Sequence, residues 1–254
     1  MKKAQIYIVL LLITTLSCKD KVSEKLKNIA LVEPKTELIT EINTLDNLEE
    51  QKKKEGDNKL DLTFSPIDST QYFDYKKKYS NDVTIDSLII NKENSFFTLS
   101  IKNTEKKFSC GIDFNNCTYY KGYLNSLNKY VLTYCGVLYC GTSLLDKNTG
   151  IQNYLESPFD TECETPSLSK DKNKLISYSS SVFDKESFIG LYKKNTETQE
   201  IDFENYETFN TSDWRINEII WVDDNFIALK IYDKYGGITG DKLMNVRYLK
   251  SKIE

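Results

Sequence analysis

From about Leu60 to the C-terminus, short apolar runs alternate with polar residues and are separated by Asn, Asp, Lys and Gly. Period-two alternation bounded by turn-forming residues is the pattern of β-strands. It predicts strands at 83–90, 96–101, 107–112, 119–124, 130–134, 142–145, 174–179, 188–193, 216–222, 226–231 and 244–249. Few segments in this region hold a helical period. Upstream, Leu38, Ile42 and Leu45 fall at helical spacing and Glu49 sits four residues before Lys53. That predicts a short solvated helix over 37–55, inside a charged tether covering 18–59. Residues 60–254 then form one mostly-β domain.

The strands recur in units. Lys102-Asn103-Thr104, Lys147-Asn148-Thr149 and Lys194-Asn195-Thr196 share three residues, at offsets of 45 and 47 when counted from Ile101, Asp146 and Lys193. Each follows an apolar run. Asn128-Lys129-Tyr130-Val131 and Asn173-Lys174-Leu175-Ile176 lie upstream of the last two, and Asp224-Asn225-Phe226-Ile227 reads as a further copy. Asn and Asp tolerate the left-handed backbone of a tight hairpin, and Thr starts a strand well. A strand, polar turn and strand every 40–50 residues is similar to the blades of WD40-like β-propellers, although the Trp-Asp and Gly-His dipeptides of WD40 repeats are absent. The fold class expected is mainly β, built of repeated antiparallel units. It is read as a small or incomplete propeller, with a β-sandwich as the alternative.

The N-terminus has another character. Lys2 and Lys3 precede an apolar run from Ile6 to Ile13, and the segment ends in Leu16-Ser17-Cys18. A basic start, a short apolar stretch and a small residue before the cut make up a secretory signal. With a cysteine at the cut it resembles the signal of a bacterial lipoprotein, although Thr15 stands where that family more often has leucine. The resemblance implies removal of 1–17, a lipid on Cys18 and an anchor in the cell or outer membrane, facing the periplasm or the cell surface. Lys19-Asp20-Lys21 follows, as in the export tags of some such proteins.

Composition narrows function mainly by exclusion. The chain has 34 Lys+Arg against 38 Asp+Glu, a net charge of −4. That argues against nucleic acid as a partner, which calls for clustered positive charge. Histidine is absent, so His-based triads, His-ligated zinc and His general bases are excluded. Beyond Cys18 there are five cysteines, Cys110, Cys117, Cys135, Cys140 and Cys163. They are expected to oxidise outside the cytoplasm, in at most two bridges. Proximity suggests Cys110–Cys117 and Cys140–Cys163. The gaps C-x6-C and C-x4-C match no metal pattern, so neither a metal nor a cofactor is expected.

Few positions suggest chemistry. Asp223-Asp224 and Asp171 read as turn residues rather than calcium ligands, with nothing in the sequence to bring them together. The Gly-rich stretch 232–241 lacks the spacing of a phosphate loop and reads as a hairpin loop. Tyr119, Tyr120, Tyr123 and Tyr139 are candidates for a contact surface, since tyrosine offers an apolar body and a polar tip. The function expected is a non-catalytic binding or protection module, of the immunity or inhibitor kind, acting on a protein partner at the envelope. The alternatives are a glycan hydrolase using two carboxylates and a structural subunit of an envelope complex.

Overall fold

The structure, a computed structural model, describes residues 58–86, 90–91, 96–109, 117–137, 139–236 and 242–254. The signal-like segment with Cys18, the candidate helix over 37–55 and Cys110 lie outside the described residues.

Strand β1 (Phe64–Ile67) leads into helix α1 (Ser69–Lys78). Short strands β2 (Val83–Thr84) and β3 (Ile90–Asn91) precede the hairpin β4 (Phe96–Ile101) and β5 (Thr104–Ser109). A meander follows: β6 (Cys117–Leu124), β7 (Lys129–Cys135), β8 (Cys140–Asp146) and β9 (Gln152–Leu155). A second meander holds β10 (Ser167–Leu168), β11 (Lys174–Ser180), β12 (Ser187–Lys194) and β13 (Ile201–Thr211). The chain ends with β14 (Arg215–Trp221), β15 (Phe226–Tyr232), a small hairpin of β16 (Lys234–Gly236) and β17 (Lys242–Met244), and β18 (Arg247–Lys252).

These strands pair into antiparallel sheets with the orders β3-β4-β5 (sheet 1), β2-β6-β7-β8-β9 (sheet 2), β10-β11-β12-β13 (sheet 3) and β1-β18-β15-β14 (sheet 4). The protein is therefore mainly β, and among the described residues none of the sheets closes into a barrel. Sheet 4 is completed from far away in sequence. β1 lies along β18 with Phe64 opposite Ser251 and Ile67 opposite Tyr248. Pro66 is accommodated there because β1 is an edge strand, where a missing amide donor breaks no ladder.

The sheets stack face to face in chain order. Phe97, Leu99 and Ile101 of sheet 1 pack on Tyr130, Leu132 and Leu145 of sheet 2. Val131 and Leu144, on the other face of sheet 2, pack on Leu175 and Tyr192 of sheet 3. Ile176, Ile189 and Leu191 of sheet 3 pack on Ile216, Trp221, Ile227 and Leu229 of sheet 4. Successive residues of a strand point to opposite faces, so β7, β8, β11 and β12 feed two cores at once. This is why their sequences read as nearly continuous apolar runs rather than alternations.

Both ends of the stack are sealed without ring closure. At one end α1 lies over sheet 4, with Tyr72 fully buried against Ile220 and Ala228. Its start is fixed by a capping box: Asp68 accepts from the Gln71 amide and the Gln71 side chain accepts from the Asp68 amide. Glu218 of β14 then takes the Tyr72 hydroxyl at 2.7 Å and Lys76 Nζ at 2.7 Å. At the other end, the face of sheet 1 turned away from the core carries Thr98, Ser100, Glu105 and Lys107, paired Thr98–Lys107 and Ser100–Glu105. A polar face needs no cover.

The repeat is real, but it is not a superposition of letters. Lys102, Lys147 and Lys194 each stand at the exit from the last-but-one strand of their sheet toward the last, in sheets 1, 2 and 3. Lys102 and Asn103 form a two-residue turn, with φ of 52° and 62°, as a type I′ hairpin requires. In sheet 2 the turn is organised by Asp146, whose Oδ1 accepts the amides of Asn148 and Thr149 at 2.9 and 2.8 Å. In sheet 3 the same role falls to Asn195, which takes the amides of Glu197 and Thr198. The superposable positions are thus Asp146 and Asn195, each closed by a left-handed residue, Gly150 (φ 70°) and Gln199 (φ 59°). A second shared feature is the asparagine before each second strand. Asn128, Asn173 and Asn225 accept backbone amides from Lys147, Lys194 and Ile253 in turn.

Predicted and observed strands agree at 96–101, and within a residue or two for β6, β7, β8, β11, β12, β14 and β15. The strand expected at 83–90 is two short strands, and the strand expected at 107–112 begins earlier, at Thr104. Helix α1 and the eleven-residue β13 were not foreseen.

Candidate functional site

The unit-internal turns described above lie at one end of the stack. The opposite end is built from the loops 136–139, 156–166, 181–186 and 212–214, with the β16–β17 hairpin. The Cys135–Cys140 disulfide fastens the first of these. The two residues are register partners at the mouth of the β7–β8 hairpin, with Cα atoms 4.1 Å apart. This corrects the Cys140–Cys163 pairing. Cys163 is free and buried in the core between sheets 2 and 3, where burial pushes its thiol up to about 12. Cys117 is also disulfide-bonded.

A second fastening is Arg215, only 7 % exposed. Its Nε donates to the carbonyls of Ser181 and Asp184 at 3.1 and 2.8 Å, and its Nη1 to that of Asp233 at 3.3 Å. One buried cation thereby ties the β11–β12 loop to the start of the β16–β17 hairpin. The Asp233 carboxylate extends the tie to Lys185 and Arg247. The side chain of Asn245 and the Lys185 ammonium hold its carboxyl below the ordinary range, against a smaller opposing effect of burial.

Between these loops lies an open cleft of about 740 Å³. It forms where the starts of β6 and β14 and the segment leading into β10 converge. Its lining includes Tyr119 and Lys121, the acidic Asp160, Glu162 and Glu164, and Tyr232 and Tyr235. Lys121 Nζ meets Glu162 Oε1 at 2.8 Å. The desolvating walls around the Glu164 carboxyl raise its pKa, and the Glu162 carboxylate raises it further, against the pull of Lys121. Thr133 borders the cleft at 1 % exposure, and its hydroxyl has no hydrogen-bond partner; the Thr161 hydroxyl is in the same condition. Val182 (61 %) and Tyr235 (51 %) line the cleft while exposed, and Phe183 (91 %) and Val137 (72 %) are exposed in the loops 181–186 and 136–139 of the same end.

The four candidate tyrosines separate. Tyr119 and Tyr139 are exposed at this end, at 45 % and 41 %. Tyr120 borders the cleft floor but is 7 % exposed and packs between Phe97 and Tyr130. Tyr123 packs against the same core and donates its hydroxyl to Asn128. Strand alternation is the reason for Tyr120, and a register shift between Tyr120 and Gly122 turns Tyr123 inward as well.

The acidic turns meet at the opposite end. The Asp171 amide donates to Asp224 Oδ1 at 2.7 Å, and Lys174 Nζ reaches Asn225 Oδ1 at 2.9 Å. Asp223 accepts its own Asn225 amide at 2.8 Å. The Asp224 carboxylate and the Lys174 ammonium thus join sheets 3 and 4. The Gly-rich stretch is a hairpin whose strands are β16 and β17, and its residues 237–241 lie outside the described residues. Asp160, Glu162 and Glu164 had no sequence motif to mark them. The available signal was their position in an irregular segment rich in acidic residues, just before a unit begins.

No helix among the described residues is long and apolar enough to cross a membrane. No family model matches the chain, and neither a curated protein nor a solved structure matches it.

Proposed function

We propose that this is a lipid-anchored envelope protein whose stacked sheets form an open, propeller-like scaffold for a non-catalytic binding module. The module holds a partner protein at the cleft end. One observation carries the reading: Val182 and Tyr235 are exposed in the lining of an acidic cleft, with Phe183 exposed beside Val182 and Val137 exposed in the loop that the disulfide closes, and a buried arginine holds the 181–186 loop. Exposed apolar residues clustered on fastened loops fit docking better than solvation. The rim supplies contact area and the cleft supplies charge. The anchor rests on the lipoprotein-like segment ending at Cys18.

The test places a photo-crosslinking residue at position 183 and, as a control, at 105 on the outer polar face of sheet 1. A discrete protein adduct in the membrane fraction from 183 alone is the expected result. No adduct, or the same adduct from both positions, refutes docking at this end. Intact-mass and acyl-label measurements on wild type beside Cys18→Ala test the anchor separately. Lipid on the wild type only is expected, and a soluble, unacylated wild type overturns that part.

A second reading, a carboxylate-dependent glycan hydrolase, is favoured by Glu164, whose raised pKa beside Glu162 suits a general acid. Release of soluble fragments from purified cell-wall glycan, abolished by Glu164→Gln, would establish it.

A further inference from the structure

We infer that the cleft is a receptor for a guanidinium group, the arginine side chain of the docked partner. This rests on the docking reading and names what enters the cleft. Charge sets the sign of the occupant. Asp160, Glu162 and Glu164 share the cleft, and Lys121 is already engaged with Glu162 at 2.8 Å. Hydrogen bonding sets its kind. The hydroxyl of Thr133, from a residue 1 % exposed at the cleft wall, lacks a partner, as does that of Thr161. A buried hydroxyl left unpaired is costly, and a donor arriving with the partner would satisfy it. Guanidinium brings five N–H donors in a rigid plane, enough to serve carboxylates and hydroxyls together, whereas an ammonium brings three. Aromatic faces complete the match. Tyr119 and Tyr235 line the cleft at 45 % and 51 % exposure, and the buried Tyr232 backs Tyr235 with ring centroids 5.0 Å apart. A planar cation stacks on such rings. The rim residues Val182 and Phe183 then receive the apolar neighbours of that arginine on the partner.

The probe is N-acetyl-arginine amide, with the neutral isostere N-acetyl-citrulline amide as control. Each is titrated into the full-length chain in detergent, with the amide resonances of Thr133, Thr161, Glu162 and Glu164 followed by NMR. Saturable shifts with the arginine amide, at least tenfold weaker with citrulline amide, are expected. Glu162→Gln/Glu164→Gln should remove them, and Thr133→Val, which keeps shape and charge, should weaken them several-fold. Equal responses to the two amides, or an undiminished response in the double variant, overturn the assignment. The crosslink from position 183 separates the two levels. If it forms in wild type and persists in the double variant while the arginine amide fails to bind, docking stands and the arginine assignment falls. If it never forms while the arginine amide saturates, docking falls and takes the partner's arginine with it.

Discussion

The two ends of the stacked sheets are fastened differently. At the turn end several connections are closed by their own side chains: Asp146 and Asn195 gather two amides each, and Asp171 and Asp223 do similar work. Adjacent sheets are tied there by the Lys102 amide to the Lys147 carbonyl and by Asp171 to Asp224. At the cleft end the connections are uneven, from the short 212–214 to the long, irregular 156–166. Ser181 caps its own loop there and the Cys135–Cys140 bond closes the β7–β8 hairpin, but Arg215 adds a tie from outside, reaching three carbonyls in two connections. Local closure makes a turn interchangeable from unit to unit. Remote fastening lets a loop take any sequence while staying in place. On the proposed docking reading, the contrast separates an end that serves folding from an end that serves recognition.

The largest expected effect breaks the cleft end alone. Arg215→Ala leaves three carbonyls without their charged donor and should cost about 3 kcal/mol. Chemical denaturation would measure the loss. Limited proteolysis should then cut first within 181–186, and cutting elsewhere first would contradict the fastening role. Replacing Cys135 and Cys140 together by alanine opens a small loop. It should cost about 2 kcal/mol at most, with weaker capture through position 183 and no change in the turn-end amide resonances.

Asp146→Ala attacks the other end and should cost roughly 1–2 kcal/mol while leaving arginine-amide binding unaltered. Its pH dependence has a definite sign. Burial pushes the Asp146 carboxyl up, but the Thr149 amide, Lys129 and the Asn148 amide together pull it below its ordinary value. A lowered carboxyl stabilises the fold above its unfolded pKa, and that contribution disappears as pH falls through the folded pKa. The gap between wild type and Asp146→Ala should therefore narrow in acid. A gap that stays constant to acid pH would mean that the charge plays no part.

Glu164→Gln gives the smallest effect and the sharpest contrast. A carboxyl raised by folding stabilises at low pH and loses that contribution as pH rises through its folded pKa. The ionised Glu164 therefore costs stability at neutral pH. Because the side chain is open to solvent, the variant should gain no more than about 2 °C in Tm, and less in acid. Loss of stability instead would place Glu164 among the structural residues and remove it from the recognition end.

How far these features can be read from sequence follows the same division. The strands feeding two cores were legible because Leu175-Ile176 and Ile189-Gly190-Leu191-Tyr192 must be apolar on both faces. The location of the turns was legible because Asn, Asp and Gly mark them. Their internal register was not, since a chance match of Lys-Asn-Thr obscured the equivalence of Asp146 and Asn195. Helix α1 buries few side chains and is full of lysine and tyrosine, so its only signal was the capping pair Asp68 and Gln71. Strand β13 carries Asp202, Glu204 and Glu207 and lies at the edge of sheet 3, where one row of side chains meets water. The cleft was illegible because Tyr119, Thr133, Glu164 and Tyr235 come from separate parts of the chain.

By itself the sequence determined that the chain would form repeated antiparallel strands between polar turns, because strand alternation and turn chemistry act over a few residues. It also determined, through the absence of histidine, which chemistries are closed to the protein. Tertiary structure decided which cysteine pairs with Cys140, which tyrosines reach solvent, and that β1 completes the last sheet. It also decided that three carboxylates meet two unpaired threonine hydroxyls in one cleft. Those outcomes depend on how sheets stack, and stacking joins residues whose separation along the chain carries no local signal.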